Sequence, residues 1–342
     1  MKVSFVQPTS FSLKSFLRAF VIYAVISAVL AVCLTVPIDY VIYMPGKAYA
    51  LREMIEVPDG ISNEGSFLMT VVLSQQANIP LYIRGVLTPG IDIYPLEQVR
   101  PASLSEEEYQ VRMLQSMLSS QEVAAGLALR HCGYTVREVG EGVRILSFIE
   151  GNKSQELLKA GDVIIACDEQ DVMLNSELSA ILREKVPGDT VTLVIIRDEE
   201  ELSFLIELVS RTDNPEIGAI GISVTNVNWH LDLPMEINVL SEDIGGSSAG
   251  LMMTLEIINQ LTEEDLTAGK RIAGSGTIDI NGNVGAIGGV RQKVLGAINN
   301  GADYFLTPKA NYQDALGAAG NQIEVVEVSS LADALLFLEG IK

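Results

Sequence analysis

The chain has 342 residues, 48% of them hydrophobic, 20% charged and 6% aromatic, enough apolar length for two or three buried cores and the wrong composition for a disordered or collagen-like polymer. Lys plus Arg is 23 against 44 for Asp plus Glu, a formal net charge of −21, which argues against a general nucleic-acid surface. Three cysteines without CxxC spacing and two histidines without HExxH support neither a disulfide framework, a thiolate metal site nor a zinc protease.

Ala19 to Val36 reads AFVIYAVISAVLAVCLTV without a charge, and as a helix it nearly spans the roughly 30 Å hydrocarbon layer. Residues 19–44 are therefore expected to be a transmembrane anchor and its flank, with Asp39 near the interface beside Tyr40 and Tyr43. Lys2, Lys14 and Arg18 precede the span, so the positive-inside bias makes 1–18 a cytoplasmic N-terminus and the remainder an extracytoplasmic body of a single-pass cell-membrane protein. A cleaved signal peptide is the alternative, but the apolar run is long for one and PIDYVIYMPG has no clear small-x-small site.

Residues 45–130 read as an α/β region. Phe67 to Ser74 predicts a strand, and Leu81 to Leu87 a second short strand before the Thr88-Pro89-Gly90 break. Ser105 with Glu108 forms a capping box opening a helix that runs to Arg130 and stops near Gly133. Met113, Met117 and Leu118 fall at helical spacing, which explains them as packing residues rather than metal ligands.

Residues 131–210 predict a small β-rich domain, with strands at 142–149, 162–167 and 190–196, a helix at 176–184 and a turn at 198–201. The segment GNKSQELLKAGDVIIACDEQDV, Gly151 to Val172, resembles a PDZ domain where a short helix leads into a buried strand. The usual Ser-Pro-Ala before that helix is replaced by Asn152, Lys153 and Ser154. The resemblance implies a peptide groove formed by a strand at Gly133, Tyr134, Thr135 and Val136 and the helix around Ser176 to Leu182. GNKS lacks the spacing of a Walker A loop.

Residues 211–342 open with a junction at 211–216 and short β-rich segments at 217–226 and 234–240. Gly245 to Gly250, GGSSAG, then starts a helical pattern with Leu251, Leu255 and Ile258 on one side. A glycine turn at a helix N-terminus can expose a small nucleophile and aim backbone donors at oxyanion charge, although a serine between glycines is more often a cap or turn. DIGGSSAGLMMTLEIINQLT, Asp243 to Thr262, followed by IAGSGTIDINGNVGAIGGVRQKVLGAINNGADYFLTP, Ile272 to Pro308, resembles the proteolytic domain of the Lon protease family over roughly 217–339. With the anchor and the PDZ-like insert, the whole chain is similar to the membrane-anchored, PDZ-containing branch of Lon-like proteases. The expected fold is α+β throughout: N-terminal transmembrane helix, PDZ-like β-rich insert, C-terminal Lon-type proteolytic domain.

That resemblance implies a Ser-Lys dyad, with the catalytic serine at Ser248 and the catalytic lysine at Lys293. Ser247 stands where Pro is common, and Gly245 stands where classical Lon enzymes carry an acid but the anchored relatives, like this chain, carry Gly. Chemically the pair is sufficient: a neutral amine can take the proton of a hydroxyl that is otherwise a poor nucleophile. Lysine ordinarily titrates near pKa 10.4, so the site has to be desolvated or cationic. A helix over 290–299 would put Val290, Lys293 and Ala297 on one partly apolar face. Gly246 and Ser247 are candidates for shaping the oxyanion hole, and Thr277 and Asp279, in the family-like GTID segment, for supporting the active site.

The expected function is an ATP-independent serine endopeptidase acting on exported proteins or signalling peptides, since this sequence lacks the ATPase of classical Lon. The acyl-transfer chemistry implies no metal and no organic cofactor. Expected partners are protein or peptide substrates and the lipid membrane, with no nucleic acid; Lon-type domains resemble ring-forming modules, which leaves a homo-oligomer open. The competing readings are a PDZ-like scaffold with an inactive protease-like domain, and a regulatory protease whose groove restrains it.

Overall fold

The computed structural model describes residues 13–149, 153–211, 214–241 and 244–342. Lys2, Gly151 and Asn152 of the PDZ-like segment, the junction residues Thr212 and Asp213, and Asp243 of the glycine motif lie outside the described residues. The chain forms two compact units, one made of residues 1–128 and 237–342, the other of 129–236.

The first unit begins with α1 (Leu13–Thr35), whose stretch Phe16–Thr35 is apolar and long enough to cross a bilayer. There follow β1 (Tyr40–Ala50), β2 (Ser66–Gln76), α2 (Ile79–Leu87), β3 (Asp92–Pro95) and α3 (Glu106–His131). The expected strand at 81–87 is a helix instead. A short apolar run fits either state, and here Asn78 decides it by accepting a hydrogen bond from the Leu81 amide, with Pro80 in the first turn where its missing N–H costs nothing. The predicted capping box of α3 is present, Ser105 N–H donating to Glu108 and Glu108 N–H to Ser105 Oγ.

The second unit contains β4 (Val143–Phe148), β5 (Val163–Cys167), α4 (Asn175–Arg183), β6 (Thr190–Arg197), β7 (Glu200–Glu207) and β8 (Ile222–Asn226). Its sheet runs β7-β6-β5-β4-β8, all antiparallel, with β8 at one edge. Asp198 and Glu199, both at positive φ, make the tight β6–β7 turn that matches strand twist. Val143, Ile145, Ile164, Leu193, Ile195 and Ile206 fill the core under α4. Buried Asp162 closes the rim by accepting two bonds from Arg197. Because β8 pairs with β4, this unit extends past the boundary expected at 210.

The first unit resumes with α5 (Gly250–Leu261), β9 (Arg271–Gly274), α6 (Val290–Asn299), β10 (Tyr304–Pro308), α7 (Tyr312–Ala319), β11 (Glu324–Val328) and α8 (Leu331–Gly340). Its sheet order is β11-β10-β9-β2-β1-β3, parallel from β11 to β2 and antiparallel beyond. Residues 45–130 are thus not a separate region: β1, β2 and β3 complete the sheet of the C-terminal segment. On one face, Leu68, Ala273 and Phe305 pack with Val290, Val294 and Ala297 of α6 and Ala315 of α7. The other face takes α5, where a side chain at Gly274 would put its Cβ 2.5 Å from Met252 Sδ. Residues 250–260 are all buried, so α5 is a central helix rather than the one-sided helix its Leu251, Leu255 and Ile258 spacing suggests.

Candidate active site

Both halves of the predicted dyad are positioned by packing. α6 lies so close to β1 that a Cβ on Gly296 would come within 2.9 Å of the Gly46 carbonyl, and this seating drives Lys293 inward until only 4% of it is exposed. Its Nζ donates to Ser248 Oγ at 2.6 Å and to Ser275 Oγ at 2.7 Å. Burial withdraws water from the ammonium and pushes the pKa of Lys293 down to about 7.

Ser248 sits half-buried in the turn that opens α5. Its carbonyl is held twice, by the Gly276 amide at 2.9 Å and by Ser275 Oγ at 2.8 Å. Ser275 therefore touches both members of the pair and fixes their separation. The turn is also held from α3: the Gly246 amide donates to the Met113 carbonyl, and Ser120 Oγ donates to the Ser247 carbonyl. Gly246 is at φ +96°, a conformation glycine takes without strain. At Gly245 a Cβ would lie 2.8 Å from that of Met113, leaving no room for the acid found there in classical Lon enzymes.

The expected supporting residues divide. Gly246 shapes the turn, but its amide is committed to Met113 and is not free to face an oxyanion. Among the described residues the amides of Ser247 and Ser248 have no hydrogen-bond acceptor. Thr277, half-buried, lies in a two-residue strand paired with Val284 and Gly285. Asp279 is exposed and spends its carboxylate on its own turn, accepting from the amides of Asn281 and Asn283 and from Asn283 Nδ2. It touches neither Ser248 nor Lys293. Among the described residues no group of three His, Cys, Asp or Glu side chains could hold a metal ion.

In the second unit the predicted peptide strand is displaced. Gly133 to Val136 are turn and irregular chain following α3, and the strand nearby, Arg137–Val139, pairs with His230–Asp232. A groove of about 710 Å³ lies instead between α4 and the edge strand β8, lined by Leu178, Ser179, Leu182, Ile220, Ile222 and Val224. The helix of the expected groove lines this cavity, and Gly133 to Val136 do not.

The family model of the Lon protease (S16) C-terminal proteolytic domain matches residues 223–335, and that of the PDZ domain matches 131–208. The chain carries a Lon-type proteolytic domain and a PDZ domain. Lon protease 2 of Herpetosiphon aurantiacus is 32% identical over 129 residues, 37% of this chain and 15% of that protein. Lon protease of Roseiflexus castenholzii is 39% identical over 93 residues, 26% of this chain and 11% of that protein. The chain thus spans less than a fifth of the length of these curated relatives. Among solved structures, the PDZ domain of an SdrC-like protein from Listeria innocua is 27% identical, covering 24% of this chain and 92% of that one with a TM-score of 0.23. The Lon-type match excludes β1, β2 and α3, which supply the seat of α6 and the props of the Ser248 turn.

Proposed function

We propose that the protein is a membrane-anchored, ATP-independent serine endopeptidase in which Ser248 is the nucleophile and Lys293 the general base. The observation that carries this reading is a single one: a lysine amine taken out of water, 2.6 Å from a serine hydroxyl at a helix N-terminus. With its pKa near 7, a large fraction of Lys293 is neutral at physiological pH. The neutral amine takes the Ser248 proton as Oγ attacks a peptide carbonyl, then returns it to the departing amine nitrogen. The acyl-enzyme is hydrolysed by a water that Lys293 activates in the same way. The amides of Ser247 and Ser248, at the positive end of α5, are the donors for the tetrahedral oxyanion.

Anchoring rests on the apolar stretch Phe16–Thr35 of α1, and the basic residues before it orient the body outside the cell. The α4–β8 groove supplies an apolar trough beside a sheet edge, the setting in which an extended peptide adds as a further strand. Its occupants in this reading are unfolded segments of exported proteins or peptides.

The test is proteolysis of an unfolded protein without ATP by the parent, Ser248→Ala and Lys293→Ala, with products read by mass spectrometry and folding checked by circular dichroism. Fragments from the parent alone support the dyad. The same fragments from all three overturn it, and binding without cleavage by a folded parent moves the function to the groove.

A further inference from the structure

α2 carries an apolar row that is largely exposed among the described residues. Ile79, Ile83, Val86 and Leu87 recur at the i, i+4, i+7, i+8 spacing of one helix face and are 42%, 51%, 64% and 74% exposed. The opposite face is the packed one: Gly85 is buried, with Ile93 of β3 directly over it. A helix of nine residues with its inner face seated and its outer face apolar is built to meet something other than water.

Its location says what. The N-terminus of α2 is tied to the C-terminus of α1, for Asn78 Nδ2 donates to the Leu34 carbonyl at 2.6 Å while Asn78 Oδ1 caps α2. Ile38 N–H donates to the Ala77 carbonyl and Gln76 Nε2 to the Ile38 carbonyl, locking the exit of α1 to the entry of α2. Two further features fit an interface: the Tyr40 and Tyr82 rings meet edge-on at 5.0 Å, and Arg84 is exposed at the flank of the apolar row, placed to reach lipid phosphates. With α1 in a bilayer, its last turn lies at the headgroup level, and so does the first turn of α2.

We infer that α2 is an interfacial membrane helix, its Ile79-Ile83-Val86-Leu87 face immersed at the boundary between headgroups and acyl chains of the outer leaflet. The inference rests on the anchoring of α1 proposed above. It gives the protein two membrane contacts, one spanning and one lying in the surface, joined by the Asn78 cap. Through β1, which leads from α1 into the sheet beneath α6, the second contact holds the proteolytic unit against the leaflet.

The experiment uses the full chain in vesicles of phosphatidylethanolamine and phosphatidylglycerol. In a Trp229→Phe background, single tryptophans are placed by Leu87→Trp, by Ile83→Trp and, in α1, by Val25→Trp. Each is quenched with lipids brominated near the glycerol or near the chain ends. We expect the Leu87 and Ile83 probes to lose about half their emission to shallow bromines and little to deep ones, with the Val25 probe showing the reverse. Quenching at Val25 with none at either α2 position overturns the inference while leaving the anchor intact. Blue-shifted but unquenched α2 probes also overturn it, placing a second protein copy on this face. Loss of quenching at Val25 itself removes the anchor and the inference with it.

Discussion

Lys293 and Ser248, 45 positions apart in sequence, meet with Nζ 2.6 Å from Oγ inside a site closed to water around the amine. Since burial holds the amine at a pKa of about 7, the neutral base accumulates as pH rises through that value. We expect kcat/KM to climb tenfold per pH unit below about 7 and to level off above it. A rate still climbing between about pH 8 and pH 10 would mean a lysine titrating near its ordinary value and would sink the buried-base reading.

The same burial makes Lys293 a stability liability, and the sign follows from linkage. Its folded pKa lies below its unfolded one, so between the two the unfolded chain binds more protons and stability rises with pH. Below about 7 the full penalty applies. Lys293→Met is therefore expected to be inactive yet more stable by a few kcal/mol below pH 7, the gain fading as pH approaches the unfolded lysine value. Thermal unfolding across pH measures it; a less stable Lys293→Met protein would refute the prediction.

Ser275 bridges the pair, donating to the Ser248 carbonyl and accepting from Lys293 Nζ. Ser275→Ala is expected to leave a folded enzyme with kcat lowered about 10- to 100-fold, KM little changed and the pH limb moved to lower pH, because an acceptor that favours the ammonium is gone. Ser275→Thr, which keeps the hydroxyl, is expected to recover much of the rate. An unshifted limb in Ser275→Ala would reduce the residue to backbone packing.

Ser248 and Lys293 stood out as candidates because the two motifs that carry them are long, and helical spacing alone placed Lys293 with Val290 and Ala297 on what is a buried face of α6. Its supports were not. Ser275 lies in AGSGT with nothing local to separate it from a turn residue. Met113 and Ser120 act from a helix more than 120 positions before the residues they hold, a contact no periodicity records. At 81–87 a seven-residue apolar run was ambiguous until the Asn78 cap resolved it. The strand beside α4 was hidden for a topological reason: β8 falls at the start of the Lon-type match and after the PDZ match, yet it pairs with β4 of the second unit.

That strand supplies a prediction of its own. If β8 and α4 receive an extended peptide, Leu182→Gln, which puts a polar group into the trough lined by Leu178 and Ile222, should weaken capture of a long unfolded substrate about tenfold while leaving cleavage of a short peptide at its parental kcat. Substitution at Tyr134, in the irregular chain after α3, should change neither. Equal loss on both substrates would detach the groove from substrate delivery.

A second buried ionisable group lies on α5, the helix that presents Ser248. Glu256 is 2% exposed, and while its Oε1 accepts from Gln260 Nε2 at 2.8 Å, its Oε2 has no hydrogen-bond partner among the described residues. Desolvation pushes its pKa up to about 7, only partly offset by Gln260 and by the Phe67 amide nearby. The folded state therefore holds a proton that the unfolded chain releases near 4.5, so stability falls as pH rises between those values and stays low above them. Glu256→Gln carries no such loss. It should match the parent near pH 4 and exceed it by about 3 kcal/mol above pH 7, measured as the difference in urea midpoints at the two ends of that window. A gap of the same size at both ends would mean that the substitution acts through packing and that Glu256 does not titrate in this range.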